Sequence, residues 1–450
     1  MSGFPDPAAG ARCRALRLLV LAILFTLAGS PRAAAQVEPL GPEFQVNVYT
    51  TGWQFSPLVT VAPDGSFTIV WCCGVVGTSD EEMVVGRRFD SSGQPLGPEF
   101  AVSETQGQYP SSVAADDQGN FVVVWGYGSS GCPACFIGYV KARRFTASGQ
   151  PRGPQFAVSE PPGNAYTGGG RVEVGSDGGF VVVWQDDGSW AKRFAPDGTP
   201  LAAEFAVGGE NGYSKGVALT RQPGGGFVVV WEDFDANWED ELLGQRYDVD
   251  GQPVGARIPV APREDRPWNP RLAAAPGGDF VVTWRAVLPG YQNEMKARRF
   301  AVDGTPLGPA LTVNSFDADS LWEQAIAREA DGGFVVAWQS HGSPGNDTDS
   351  ESVQTRRFAA DGTPLGAQVQ LNGWTTGYQA GPAVAVQPNG DLVMTWSSET
   401  SPGSDTSASS ILARRFRVPF FMDGFETGDT SRWSATVPLD GNSTLHRARR

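Results

Sequence analysis

Aromatic rings, carboxylates and thiols recur in this 450-residue chain where they could meet a ligand. One or two aromatic residues stand at or shortly before the start of each of seven apolar runs. They are Trp53 with Phe55, Tyr109, Tyr166, Tyr213, Trp268, Trp322, and Trp374 with Tyr378. Flat apolar faces suit sugars or peptides, and they serve equally as seals between packed sheets. Carboxylates gather in Asp80-Glu81-Glu82, Asp186-Asp187, Glu232-Asp233, Glu239-Asp240-Glu241 and the run from Asn346 to Glu351. In that last run Asp347, Asp349 and Glu351 alternate, which places oxygens for a hard cation such as Ca²⁺. The run lacks the central glycine of a helix–loop–helix calcium site, and a solvated charge run is the plain alternative. No cofactor other than this candidate Ca²⁺ is implied.

Catalysis finds little support in the residue types. Only His341 and His446 are present, so a Ser/His/Asp site or a His-ligated metal would have to use His341. No phosphate-cradling glycine loop occurs. Paired carboxylates for glycoside chemistry could come from any two acidic loops, but linear spacing does not bring two of them to a working separation.

Cys72, Cys73, Cys132 and Cys135 form a second constellation. In an oxidising compartment they read as disulfides, with Cys72 or Cys73 bridged to Cys132 or Cys135, or Cys132 closed on Cys135. A four-thiolate metal site fits less well, because one pair is adjacent rather than two residues apart.

What positions these residues is a repeat. A glycine-rich turn, an aromatic or leucine, three mostly apolar residues and a tryptophan recur, ending at Trp71, Trp125, Trp184, Trp231, Trp284, Trp338 and Trp396. Each unit holds four strand-like runs joined by turns such as Asp177-Gly178-Gly179 and Asp197-Gly198-Thr199-Pro200. The second run, as in Phe180-Val-Val-Val-Trp184, shows no polar alternation and must be covered on both faces. An isolated unit cannot supply that cover, so units must stack.

The two ends choose between a closed ring and an open stack. Pro39 to Asn47 matches the fourth run of a unit, while the last unit stops after Arg414-Arg415-Phe416 without one. The amino-terminal segment can therefore complete the last sheet and leave no open edge. The expected fold is all-β, a seven-bladed β-propeller of four-stranded antiparallel blades over residues 36–418. Antiparallel strands put the two variable connections of every blade on one side of the disc, the side expected to bind. Paired bases such as Arg87-Arg88 lie in third strands, where alternation sends one of them between blades. Bidentate pairing with a neighbouring acid is the expected role.

Units of the form GGFVVVW…ARRFDxDGTPLGxEFxVN resemble those of large exported bacterial propeller-type repeat proteins. The tail from Phe421 to Trp433 is similar to a DGFESGD…W terminus seen on exported bacterial proteins. The resemblance implies export and a repetitive β fold, and it carries over no catalytic residue. The Asp-Gly-Gly-Phe turn sets its aromatic directly after the glycines, unlike the Asp-box of sialidases.

Residues 1–35 read as a signal peptide, with Arg12, Arg14 and Arg17 before an apolar run and a small-residue site at Ala33-Ala34-Ala35. Residues 419–450 form a tail that is either disordered or a sorting segment. A secreted or periplasmic location follows. A net charge of −15 argues against nucleic acid and anionic membranes as partners. No second long apolar run suggests a membrane span. The leading expectation is a monomeric, non-catalytic binding or scaffolding protein acting on a carbohydrate or a cell-surface protein. The alternatives are a carbohydrate-active hydrolase or lyase using loop carboxylates, and a Ca²⁺-stabilised adhesive module.

Overall fold

The computed structural model describes residues 37–74, 83–105, 108–128, 138–159, 169–186, 188–208, 214–234, 240–288, 292–316, 320–405 and 408–418. The candidate leader and tail lie outside these residues, which belong to one compact unit, Ala35–Val418. They form seven antiparallel sheets, with two short 3₁₀ turns at Pro223–Gly225 and Arg263–Asp265. Two short strands, β1 (Glu38–Pro39) and β2 (Phe44–Gln45), come first. The first blade follows as β3 (Phe55–Val61), β4 (Phe67–Gly74), β5 (Met83–Phe89) and β6 (Phe100–Ala101), each paired to its predecessor. Five further blades repeat this order, and the seventh has three strands of its own.

The ring closes at the amino terminus, as the matching ends require. Both β1 and β2 pair with Ser410–Arg417, the last strand of blade seven. Glu38 and Pro39 face Arg417 and Phe416, while Phe44 and Gln45 face Ala413 and Leu412. The first strands of the seven blades touch in succession from β3 around to Gln379–Val386 and back to β3. They are the inner ring.

Why the second strands are apolar throughout is visible in blade two. Phe121, Val123 and Trp125 pack back on Val70, Val84 and Val102 of blade one. Val122 and Val124 pack forward on Val172, Val182 and Trp184 of blade three. Seven such apolar clusters occupy the seven blade interfaces. The seven tryptophans are 0–1% exposed. Burying each side chain of this size stabilises by about 1.5–3 kcal/mol. Facing rings at the strand ends add to this, as in Phe180–Phe194 (centroids 4.8 Å, interplanar angle 9°) and Phe334–Phe358 (4.8 Å, 8°).

The paired bases meet acids in part, and they meet backbone carbonyls throughout. The first member reaches back to a carbonyl at the end of the preceding blade: Arg87 to Val46 (2.8 Å), Arg143 to Val102 (3.2 Å), Lys192 to Val158 (3.2 Å) and Arg356 to Val313 (2.9 Å). The second member reaches forward to a turn carbonyl of the next blade: Arg144 to Pro196 (2.8 Å), Arg299 to Ala360 (2.7 Å) and Arg415 to Ser92 (2.9 Å). Alternation along the strand supplies the two directions, so each pair fastens its blade on both sides. The first member reaches its carbonyl because that carbonyl belongs to a residue just past a two-residue fourth strand, whose amide bonds to the third strand while the carbonyl faces the next blade. Acids are met as well: Arg143 also pairs with Glu104 (3.0 Å), Arg193 with Asp250 (3.6 Å) and Arg415 with Asp391 (3.7 Å), and Arg357 forms a buried bidentate pair with Glu329 (2.7 and 2.6 Å). Blade four has Gln245 where its neighbours have a base, and there the Tyr247 hydroxyl donates to the Val207 carbonyl instead (3.2 Å).

Short turns fill the opposite face. Asp90 accepts from the amides of Ser92 and Gln94 (both 2.8 Å) and from the Ser92 hydroxyl (2.7 Å). The hydroxyl first, then the amide of Gln94, hold its carboxyl below the usual range. Gly93 closes this turn at φ 89°, a conformation an L side chain resists.

Candidate binding face at the channel mouth

Each first strand enters the channel from the variable-loop side, and six of the seven carry a register shift near that end. A bulge of this kind re-aims side chains. At equivalent places Ser56, Gly216, Asn269 and Gly381 take left-handed φ of 55°, 55°, 58° and 61°. Three of the four precede a proline (Pro57, Pro270, Pro382), which ordinarily favours extended backbone. Left-handed backbone at a non-glycine residue costs roughly 1–3 kcal/mol and persists only where the surroundings impose it. Around Asn269 they do. Its amide donates to Glu232 Oε1 of blade four (2.6 Å), its carbonyl accepts from Gln324 Nε2 of blade six (2.5 Å), and its Oδ1 accepts from Arg271 (2.6 Å). Sequence reading missed this node; Asn-Pro at the mouth of a first strand was the available signal.

The candidate aromatic residues divide into two sets. Trp53, Tyr109, Trp268 and Trp322 are 50, 53, 43 and 38% exposed. Phe55, Trp374 and Tyr378 are half-buried. Phe55 stacks on Tyr109 across the boundary of blades one and two (5.6 Å, 26°). Trp268 and Trp322 meet edge to face across blades five and six (6.3 Å, 84°). The Arg285 guanidinium lies 4.3 Å from the Trp322 ring centre and 5.4 Å from that of Trp268. Asn293 Oδ1 accepts from its Nε and Nη2 (2.9 and 2.8 Å) and fixes its plane. Trp374 does seal a blade interface, packing on the cluster between blades six and seven and donating to Thr400 Oγ1 (2.8 Å). Tyr166 and Tyr213 lie outside the described residues.

The acidic runs hold the scaffold together where they are described. Asp347 is fully buried, and its Oδ2 accepts from Asn372 (2.6 Å) while its amide donates to Gln370 (3.0 Å). Asp405 repeats the arrangement in blade seven with Asn47 (2.8 Å) and Gln45 (3.0 Å). Asp349 accepts from the Gly377 amide and Glu351 from the Ser350 hydroxyl. The three candidate cation ligands Asp347, Asp349 and Glu351 therefore point to separate partners. Among the described residues no group of three potential metal ligands gathers. In blade four Glu241 pairs with Arg263 (2.6 Å) and Asp233 accepts from the Trp231 indole (3.2 Å). Residues 80–82, 187, 235 and 239 lie outside the described residues.

Each expected thiol pairing involves Cys132 or Cys135. The sulfurs of Cys72 and Cys73 lie 2.22 Å apart, a bond between neighbours at the end of β4 rather than a bridge between blades. Adjacent buried side chains meet here because Cys73 takes a left-handed φ of 71°. Cys132 and Cys135 lie outside the described residues.

Charged side chains stand on the inner ring itself. Arg171 and Glu173 belong to Arg171–Val174 of blade three, Arg271 to Trp268–Ala274 of blade five, and Glu323 to Leu321–Arg328 of blade six. Burial raises the Glu173 carboxyl to about 7, against the opposing pull of Arg221. Burial, then the like charge of Arg271, lowers Arg171 to about 9.

Among the described residues no helix is long and apolar enough to cross a membrane. No family model and no curated protein matches the sequence. A protein of unknown function from Dyadobacter fermentans is similar in structure, with a TM-score of 0.53 at 14% identity over 86% of this chain and 100% of that one. That likeness shows the fold alone. A Hadza microbial sialidase matches with a TM-score of 0.43 at 10% identity, over 81% of this chain and 66% of that one. The α-L-arabinofuranosidase of Fusarium graminearum matches with 0.46 at 11% identity, over 85% and 100%. Neither likeness bears on activity.

Proposed function

We propose that the protein is an exported, non-catalytic propeller that binds a saccharide through the aromatic rim of its variable face. One observation carries this reading. The blade tryptophans are 0–1% exposed, yet Trp53, Tyr109, Trp268 and Trp322 keep 38–53% of their surface in water, all on the face where the connections vary. A fold that buries its seven blade indoles so completely has no packing reason to leave these rings uncovered, and exposed aromatic groups on a rigid frame mark interaction sites. Each ring presents a flat apolar surface of the size of a pyranose face.

The test is titration calorimetry of the full chain against glycans chosen from an array, with Trp268→Ala and Trp322→Ala as variants. Loss of one stacking ring weakens binding about tenfold. Binding that is unaltered in both variants overturns the assignment of the rim. Release of reducing ends from the bound glycan at a constant rate overturns the non-catalytic part of the reading.

A further inference from the structure

We propose that the rim binds an internal segment of a glycan chain, one that spans two aromatic platforms on opposite sides of the channel mouth. This rests on the saccharide reading above and names the class of saccharide, a polymer rather than a terminal sugar.

One register position carries both platforms. On each first strand it pairs with the residue that follows the blade tryptophan. Phe55 faces Cys72 there, Tyr109 faces Gly126, Trp268 faces Arg285 and Trp322 faces Gln339. Blade seven has Ala380, which faces Ser397. Equivalent register in repeated blades aims side chains alike, so these residues form one series around the mouth. The first strands of blades five, six, seven, one and two touch in that order. Along them the series is Trp268, Trp322, Ala380, Phe55 and Tyr109: two rings, a methyl group and two rings.

Within each pair the rings meet. The centroids of Trp268 and Trp322 are 6.3 Å apart, and those of Phe55 and Tyr109 are 5.6 Å apart. Centre to centre, the two pairs are three blade steps apart by the shorter way, through blade seven. Seven blades divide the circle, so the pairs stand about 150° apart around the channel. With packed sheets about 10 Å apart, that separation is roughly 20 Å across the mouth. A single sugar ring covers one pair and cannot reach the other. A chain of several rings reaches both, and Ala380 keeps bulk off the shorter way between them.

The platforms are held at a fixed separation. Gln54 is fully buried beside Phe55 and joins blade one to Ser409 of blade seven, its amide donating to the hydroxyl (2.9 Å) and its carbonyl accepting from it (2.8 Å). The Gln54 side chain accepts from the Trp71 indole (3.2 Å). The Asn269 node does the same for Trp268, tying blade five to blades four and six. Once one platform holds the chain, contact with the second is intramolecular, and little of its benefit is lost in ordering the protein.

The experiment is calorimetric titration of the full chain with the disaccharide and the octasaccharide of four series: cello-, laminari-, manno- and xylo-oligosaccharides. In at least one series the disaccharide should bind weakly at two sites per chain, and the octasaccharide at one, at least about 100-fold more tightly. Tyr109→Ala and Trp268→Ala, which alter opposite platforms, should each weaken the octasaccharide about tenfold. Trp322→Ala replaces Trp268→Ala should that variant melt below the parent. Two octasaccharides per chain, or equal affinity for the two lengths, overturns the spanning chain and leaves the saccharide reading standing. An octasaccharide weakened by only one of the two platform variants overturns it as well. Absence of binding in all four series overturns both readings.

Discussion

Asn47 sits where the ring is joined, and its replacement tests whether the closing seam is held by polar bonds or by apolar packing alone. The side chain is 2% exposed. Its Oδ1 accepts from the Ile411 amide (2.9 Å), and its Nδ2 donates to Asp405 (2.8 Å) and to the Tyr49 carbonyl (2.8 Å). In Asn47→Ala the Ile411 amide is left buried without an acceptor, which costs about 1–3 kcal/mol. The carboxylate of Asp405, 1% exposed, loses a charge-assisted bond worth about 1.5–3 kcal/mol. Together the loss is about 3–5 kcal/mol. Two internal controls calibrate it. Asn314 does the same work for the Met295 amide (2.9 Å) but donates only to the Phe316 carbonyl (3.2 Å), so Asn314→Ala should cost about 1–3 kcal/mol. Ser103 and Ser159 fill the position in blades one and two and accept from Val84 (3.0 Å) and Val140 (3.1 Å), so Asn47→Ser should recover the amide share and leave the Asp405 share lost. The assay is urea unfolding at neutral pH with unchanged slope. If Asn47→Ala costs no more than Asn314→Ala, the seam does not depend on Asp405 and the reasoning fails.

Burial holds the Glu173 carboxyl near 7, above its reference of 4.5, so the folded state keeps a proton that the unfolded state has released between those values. Stability should therefore fall as pH rises from about 4.5 to 7, and Glu173→Gln should abolish that slope and gain about 2–3 kcal/mol at pH 8, measured by melting across pH. Were the variant less stable than the parent at pH 8, the burial argument would be wrong. In blade four, Tyr247→Phe removes the bond to Val207 and should cost about 0.5–1.5 kcal/mol, with Gln245→Arg restoring it by the route the neighbouring blades use. An excess of EDTA should leave the melting temperature unchanged, because Asp347 is occupied by Asn372; a fall of several degrees would return the Ca²⁺ reading.

Much of the fold was legible because its cause is local and repeated. A strand apolar on both faces needs cover on both, and blade two shows that cover coming from Val70 on one side and Val182 on the other. Closure was legible because Pro39 to Asn47 spells a fourth strand that the last unit lacks. The site was legible only in outline. Trp268 and Trp374 look alike in the sequence, but one lines an open mouth and the other covers a core. Asp347 and Asp349 look like cation ligands because spacing in a loop says nothing of the Asn372 that turns in from the end of the fourth strand.

The order of residue types alone determined the strand count, the turns, the closing of the circle and the face on which variation collects, since each follows from hydrogen-bond pairing and from which side chains water rejects. Tertiary structure decided the partners of the described charged groups. Arg87 reaches the Val46 carbonyl because a short fourth strand ends beside it. Asn269 joins Glu232 and Gln324 because a ring brings residues of three blades onto one channel wall. Electrostatic partnership depends on distance in space, and linear order does not encode it.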